Sequence, residues 1–317
     1  MKFPVFDLHC DTAFEMLGKD FGSPCSLRKN QLHIDLERAG KLRGYAQCFA
    51  CFTSDAAALP LLVSPQTLFD REYRAITEAI QENEAMIVQA FHANDIEAHY
   101  QAGKMSAILT IEGPAGFGYD PDQLEGLYAK GFRITTLGWN EKNPLTGSHS
   151  TGGGLTDLGH RYVAEAQRLG MIVDVSHISD EAFRDIMDIT SAPVIASHSN
   201  SRAVWNVSRN VTDDMFGAVC KSGGVVGINL YAHFLGESPD LNTVCDHIIH
   251  FLSIDPDGTH IALGGDLDGC DELPAGFSGV EDYPKLADCM LKRNIDEQTV
   301  RDIFWNNAMG VMKRCCI

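Results

Sequence analysis

Short apolar runs, each followed by a longer stretch with helical periodicity, recur along the whole chain. Such runs are rich in β-branched residues, which is typical of strands buried on both faces in a parallel sheet. Eight of them can be counted, at residues 4–9, 46–52, 105–112, 132–139, 171–177, 193–198, 224–230 and 260–266. The alternation of strand and helix patterns indicates repeated βα units.

Amphipathic stretches fill the intervals between these runs, at residues 66–98, 156–169, 179–189, 212–222 and 240–254. Thr156, Ser179 and Thr212 stand at the start of three of them, and Ser and Thr are preferred helix N-caps. Eight βα units predict an α/β protein with a (β/α)8 TIM barrel, and an open doubly wound sheet is the alternative. A barrel needs about 250 residues, so the 317-residue chain suits a single domain, 1–317, with 281–317 as its C-terminal helical closure.

The charge balance narrows the range of partners. The chain carries 43 acidic and 25 basic side chains, a formal net charge of −18. This excess repels phosphate backbones and anionic lipids, so we expect neither a nucleic-acid nor a membrane partner. The first residues lack the pattern of a signal peptide, and no apolar run approaches the ~20 residues of a membrane span. The ten cysteines then indicate reduced thiols and a cytoplasmic protein.

Potential metal ligands end five of the eight apolar runs. The residues are His9 and Asp11 after the first run, Glu112, His177, His198 and Asp266. In TIM barrels the carboxyl ends of the strands form one rim, where active sites lie. Each residue taken alone has an ordinary explanation, as a core histidine, a helix cap or a turn residue. Their shared position at strand ends instead predicts a metal site on that rim.

The chemistry of these side chains suits a hydrolytic metal centre. His9 and Asp11 are two residues apart on a strand, so they share a face. Glu112 has two carboxylate oxygens and can bridge two metals, and neutral histidines are the commonest zinc ligands. Asp266 can hold a water molecule at the metal and accept its proton. Asp268 is the rival for that role, although it also reads as a turn residue before a glycine.

Six segments together carry a resemblance to a known family. They are DLHCDT at 7–12, IEG at 111–113, GLTDLGHRYVAEAQRLGMIVDVSH at 154–177, PVIASHSNSRAV at 193–204, RNVTDD at 209–214 and GGDLDG at 264–269. The chain resembles the membrane (renal-type) dipeptidases, a branch of the amidohydrolase-like zinc metallopeptidases, and looks like a soluble bacterial-type member. The resemblance runs nearly end to end, and the combination is far more specific than any single motif.

The resemblance implies a zinc-dependent dipeptidase with two Zn²⁺ per chain. One ion would be bound by His9 and Asp11 and the other by His177 and His198, with Glu112 bridging them. A water molecule between the ions would attack the peptide bond, and Asp266 would move its proton to the leaving amine. Free dipeptides are the implied substrates, including those with a C-terminal D-residue, and we expect a homodimer.

Two further residues are implied to contact the substrate. Arg209 matches the arginine that grips the substrate's terminal carboxylate, although without the resemblance it would read as part of a surface ion pair. Trp139 stands about where the family often has a histidine that polarises the scissile carbonyl. An indole has one N–H donor and cannot act as an acid, so zinc would carry most of that polarisation. The alternatives are another binuclear hydrolase acting on an amide, lactone or ester, and a non-catalytic zinc-binding barrel.

Overall fold

Parallel strands form a nearly closed barrel. The computed structural model of the protein describes residues 3–18 and 24–316. Its strands are β1 (Val5–Cys10), β2 (Tyr45–Phe52), β3 (Ile87–Gln89), β4 (Met105–Glu112), β5 (Phe132–Thr136), β6 (Ile172–Asp174), β7 (Val194–Ile195), β8 (Val226–Ile228) and β9 (Ile261–Leu263). They pair in the order β7-β6-β5-β4-β2-β1-β9-β8, and a parallel bridge between Ala196 and Val226 joins the two ends. The predicted barrel and all eight of its strands are confirmed.

Helices follow the strands around the outside of the barrel. They are α1 (Thr12–Met16), α2 (Leu36–Ala39), α3 (Asp55–Ala58), α4 (Pro65–Glu82), α5 (Ala93–Gln101), α6 (Leu124–Ala129), α7 (Asp157–Leu169), α8 (Asp180–Ile189), α9 (Asp213–Ser222), α10 (Ala232–Leu235), α11 (Leu241–Ile254), α12 (Tyr283–Lys292), α13 (Glu297–Arg301) and α14 (Asn307–Cys315). Within the described ranges, none of them combines the length and the apolar character that crossing a bilayer requires.

The predicted N-caps are confirmed by their hydrogen bonds. The hydroxyls of Thr156, Ser179 and Thr212 each accept a hydrogen bond from the backbone N–H three residues later, at the starts of α7, α8 and α9. Each cap satisfies a donor that the first helical turn leaves free. These three helices therefore begin where the sequence indicates.

The amphipathic stretch 66–98 contains two helices with a short strand between them. The helix α4 ends at Glu82, the strand β3 pairs with the start of β4, and α5 begins only at Ala93. The carboxylate of Asp95 fixes this second start by accepting hydrogen bonds from the backbone N–H groups of Phe91 and His92. A three-residue strand is too short to change the periodicity of the surrounding pattern.

The C-terminal helix α14 covers the amino ends of the barrel strands. Its residues Ala308, Met309 and Met312 are buried in one apolar cluster with inward-facing residues such as Phe6 and Ile134. The carboxyl ends of the strands are left open on the opposite side, where a site can form. The assignment of residues 1–317 to a single domain stays a prediction.

Candidate metal centre

The strand β1 brings His9, and the turn after it brings Asp11, to two other carboxylates at the rim. The Nε2 atom of His9 lies 3.4 Å from Asp11 Oδ2, 3.3 Å from Glu112 Oε2 and 3.7 Å from Asp266 Oδ1. All four side chains are buried. Residues from the ends of β1, β4 and β9 therefore converge within one small volume, as their positions in the sequence predict.

The two histidines from β6 and β7 face the other oxygen of the same glutamate. His177 Nε2 lies 2.8 Å from Glu112 Oε1 and 2.9 Å from His198 Nε2, and His198 Nε2 lies 3.8 Å from Glu112 Oε1. The rings of His9 and His198 stack with centroids 3.8 Å apart. Glu112 thus presents one carboxylate oxygen to His9 and the other to the His177–His198 pair.

The donor atoms suit divalent metal ions. Two overlapping triads, His9–Glu112–His198 and His9–Asp11–Asp266, have ligand atoms within 4.8 Å of one another. His9 Nε2 and Asp11 Oδ1 are buried and make no hydrogen bond to any described residue. Imidazole nitrogens and carboxylate oxygens are zinc ligands, and unsatisfied buried polar atoms are costly unless they have a partner. The residues present therefore fit a zinc centre.

Burial and crowding shift the ionisation of the carboxylates. Burial, together with the nearby Asp11 and Glu112 carboxylates, raises the pKa of Asp266 to about 7 against the opposing effect of His9. Burial together with Glu112 raises the pKa of Asp11 to about 6. Burial alone would lower the pKa of His9, but Glu112 and Asp11 outweigh it and hold that pKa well above its usual value. A bound cation would relieve the repulsion among these carboxylates.

The other two histidines are held neutral. Burial lowers the pKa values of His177 and His198 well below their usual value, and the guanidinium of Arg209 adds to the effect. A neutral imidazole has one ring nitrogen free to bind a metal. In both residues the nitrogen that faces Glu112 is Nε2.

The opposite ring nitrogens have partners that sequence reasoning missed. His177 Nδ1 lies 2.9 Å from Asn140 Oδ1, and His198 Nδ1 lies 2.6 Å from Ser197 Oγ, whose hydroxyl donates to the buried Asp174. Such partners fix the tautomer and the ring orientation of metal-binding histidines. In the sequence, the one sign of these partners is Asp174, which places a carboxylate within an otherwise apolar strand.

Asp266 lies in the cluster, whereas its rival Asp268 is turned away from it. Both oxygens of Asp268 are engaged elsewhere, by the His33 backbone N–H at 2.6 Å and by the Thr12 hydroxyl at 2.6 Å. Asp266 Oδ2 accepts a hydrogen bond of 3.0 Å from Asn229 Nδ2. Its Oδ1 is the atom that faces His9. The sequence could not separate these two residues, but their hydrogen bonds do.

Backbone strain is concentrated at this rim. His177, Asp266 and Asp268 have φ angles of 71°, 56° and 68°, in the left-handed region that favours glycine. Each such residue costs on the order of 1–3 kcal/mol. Gly113, directly after Glu112, has φ 76°, and a Cβ atom there would lie 2.2 Å from the Thr53 carbonyl oxygen. Some of the sharp turns that orient the site residues therefore have a strained backbone conformation, and another is formed by a glycine.

Arg209 is buried beside the cluster and is not part of a surface ion pair. Its Nη1 donates to Ser199 Oγ at 2.9 Å, while Nε and Nη2 make no hydrogen bond to any described residue. The guanidinium lies 5.7 Å from the ring centroid of Phe234. Burial lowers the pKa of Arg209, although the Asp266 and Glu112 carboxylates oppose this effect. Two buried N–H groups are therefore free to bind an anion.

A cavity of about 380 Å³ opens over the cluster and is lined by Asp11, Glu112, Trp139, Asn140, His177, Tyr231, Phe234, Asp266, Gly269 and Asp271. Trp139 lies on its wall, with its ring centroid 5.1 Å from that of Phe52 and 6.4 Å from that of His177. The volume suits a small substrate.

His149, in the loop between β5 and α7, also contacts Asn140, and no pattern in the sequence indicates this contact. Its Nε2 lies 2.9 Å from Asn140 Oδ1, and its backbone N–H donates to the carbonyl oxygen of His177. The glycine- and serine-rich loop between β5 and α7 therefore contributes to the surroundings of the metal cluster.

Comparison with known proteins decides the family. The profile of the membrane dipeptidase family, peptidase family M19, matches residues 1–315. The chain belongs to this family. An uncharacterised dipeptidase of Schizosaccharomyces pombe is 32% identical over 343 residues, which cover 98% of this chain and 80% of the relative. The resemblance inferred from the sequence is confirmed, and this protein is a metal-dependent dipeptidase of family M19.

Solved structures of two metallopeptidases and a probable dipeptidase share its architecture. A metallopeptidase described as a dipeptidase of family M19 has a TM-score of 0.89 at 25% identity, with 99% of each chain covered. A metallopeptidase from Rhodobacter sphaeroides, bound to a phosphinate mimic of L-Ala-D-Ala, has a TM-score of 0.88 at 25% identity and the same coverage. A probable dipeptidase from Pseudomonas aeruginosa, 17% identical with a TM-score of 0.90, shows the fold alone.

Proposed function

We propose that this M19 dipeptidase hydrolyses free dipeptides, including those with a C-terminal D-residue, at a centre of two zinc ions. The observation that carries the proposal concerns the carboxylate of Glu112. One of its oxygens faces His9 and the other faces His177, so the two oxygens face separate groups of ligands. His9 and Asp11 would hold one ion, His177 and His198 the other, and Glu112 both. Zinc ions held in this way would lower the pKa of a water molecule between them and polarise the peptide carbonyl.

Asp266 is proposed as the residue that moves the proton. Asn229 holds its Oδ2, so Oδ1 remains free to accept the proton of the attacking water and to return it to the leaving amine. A carboxyl group with a pKa near the working pH serves as both base and acid. Burial, the largest cause of the raised pKa of Asp266, supports this role.

Arg209 is proposed to bind the C-terminal carboxylate of the substrate. Its free Nε and Nη2 groups are two donors on one guanidinium, which matches the two oxygens of a carboxylate. A longer peptide has no free carboxylate next to the scissile bond, so this anchor would restrict the substrates to dipeptides. The L-Ala-D-Ala mimic bound by the Rhodobacter sphaeroides neighbour supports acceptance of a D-residue. A homodimer and a cytoplasmic location stay predictions.

The test is hydrolysis of a panel of L–L and L–D dipeptides by the zinc-loaded protein. C-terminally amidated dipeptides test the anchor, and Glu112→Gln tests the bridge, with Glu78→Gln on the exposed side of α4 as a matched control. We expect cleavage of free dipeptides that is lost with the amides and with Glu112→Gln but kept by Glu78→Gln. Absence of cleavage with two zinc ions bound would overturn the proposal and point to another amide, a lactone or an ester.

A further inference from the structure

Two imidazole groups contact the same atom of Asn140. Its Oδ1 lies 2.9 Å from His177 Nδ1 and 2.9 Å from His149 Nε2. The Nε2 atom of His177 is the one that would bind zinc beside Glu112, so the ring proton of the neutral imidazole belongs on Nδ1. His177 is therefore the donor in its contact with Asn140, and Oδ1 of Asn140 is the acceptor.

This arrangement fixes the direction of the amide. A reversed amide would place its N–H groups against the N–H of His177, which is repulsive. His149 is held in its turn, because its Nδ1 lies 2.9 Å from Ser208 Oγ and its backbone N–H donates to His177 O over 2.8 Å. Asn140 is also tied through its backbone carbonyl, which accepts a 2.8 Å hydrogen bond from the Ser148 hydroxyl. The side chain is thus preorganised.

The Nδ2 group of Asn140 is left without a hydrogen bond to any residue that the structure describes. The residue lines the cavity together with Glu112 and Asp266, and it follows Trp139 directly in the chain. A fixed amide donor beside the reacting groups resembles the side-chain donors that stabilise developing negative charge in other hydrolases. Such a donor requires no reorganisation during the reaction.

We propose that Asn140 is a catalytic residue whose Nδ2 donates a hydrogen bond to the oxygen of the scissile carbonyl as that carbonyl becomes tetrahedral. His149 is then a positioning residue that holds the amide. The inference rests on the proposed dipeptidase function and adds a donor that the chain supplies beside Trp139, where the resemblance leads one to expect a histidine.

The decisive variant is Asn140→Asp, because a carboxylate still accepts from His177 but has no N–H to donate. Asn140→Ala removes both contacts without adding a charge. Asn94→Asp, which makes the same charge change at an exposed position of α5, is the matched control. Zinc content, kcat and KM for one dipeptide, and the affinity for a phosphinate dipeptide mimic measured by calorimetry are compared across the four proteins.

We expect kcat to fall roughly 100- to 1,000-fold in both Asn140 variants, as for loss of an oxyanion donor elsewhere. KM should stay within about threefold, Asn140→Asp should keep its zinc, and phosphinate affinity should fall in parallel with kcat. A kcat within about threefold of wild type, or a loss that excess zinc restores, would overturn the proposal. A wild-type protein that cleaves no dipeptide would instead refute the proposed function, while unchanged phosphinate affinity in Asn140→Asp would refute the inference alone.

Discussion

Replacing Arg209 by methionine removes the guanidinium and keeps an unbranched apolar stem of comparable length. In the wild-type protein the guanidinium is buried, with Nη1 bound to Ser199 and with Nε and Nη2 free. Two hydrogen bonds to a carboxylate would form there, and bonds to charged groups contribute about 1.5–3 kcal/mol each. Their sum, about 3–6 kcal/mol, corresponds to a factor of roughly 150 to 25,000 in kcat/KM.

The assay compares a free dipeptide with its C-terminal amide on both proteins, because the interaction is then isolated from general damage to the site. Wild-type protein should prefer the carboxylate by roughly 100-fold or more, and Arg209→Met should reduce this preference to less than about tenfold. Arg209→Lys should recover only part of it, because an ammonium is a point charge without the two-pronged geometry.

Stability provides the control for this experiment. Removing a buried cation that has two unpartnered nitrogen atoms also removes its desolvation cost, so the melting temperature of Arg209→Met should not fall. The reasoning is refuted if Arg209→Met remains folded and still prefers the free carboxylate over the amide by the wild-type factor. The anion would then be bound by a different group.

Two other predictions concern stability. Burial, reinforced by Asp11 and Glu112, raises the pKa of the Glu72 carboxyl well above its usual value. The contribution of this carboxyl to stability is therefore present at low pH and is lost as pH rises through the raised pKa. The free energy of unfolding of Glu72→Gln should therefore increase relative to that of wild type between pH 5 and 8, by up to about 1.4 kcal/mol per pH unit. Urea unfolding curves of the two metal-free proteins measure this difference, and a difference that does not change with pH would contradict the prediction. Gly113→Ala should destabilise by more than about 2 kcal/mol because of its positive φ and the 2.2 Å contact with a carbonyl oxygen. The control Gly126→Ala, in α6 with no atom within 4 Å of the added Cβ, should stabilise by about 0.4–1 kcal/mol, and equal melting temperatures for the two would contradict the argument.

The barrel and the convergence at its rim follow from the sequence because both depend on local pattern. Apolar runs identify the strands, and the carboxyl ends of parallel strands necessarily meet. The proximity of His9, Glu112 and His198 can therefore be predicted without any measured distance. Their positions after apolar runs carry the information, and the structure places their ligand atoms within 4.8 Å of one another.

The remaining features depend on contacts between loops, for which the sequence has no periodic signal. Asn140 and His149 are nine residues apart in an irregular loop, and their meeting is determined by the fold of that loop. Asp266 and Asp268 differ by two positions, so only the backbone conformation of the turn decides which one enters the cluster. The strand β3 is missed because three residues cannot outweigh the helical pattern on either side.

The left-handed conformations of His177, Asp266 and Asp268 have a consequence for protein engineering. Procedures that raise stability by relieving unfavourable backbone conformations would select glycine at these three positions, since glycine adopts positive φ without penalty. Such substitutions would delete two side chains of the cluster and the carboxylate that ties the final turn to Thr12 and His33. Thermostable variants of this enzyme should therefore be sought in the outer helices, with these three positions held fixed, because here gains in stability and retention of activity are opposed.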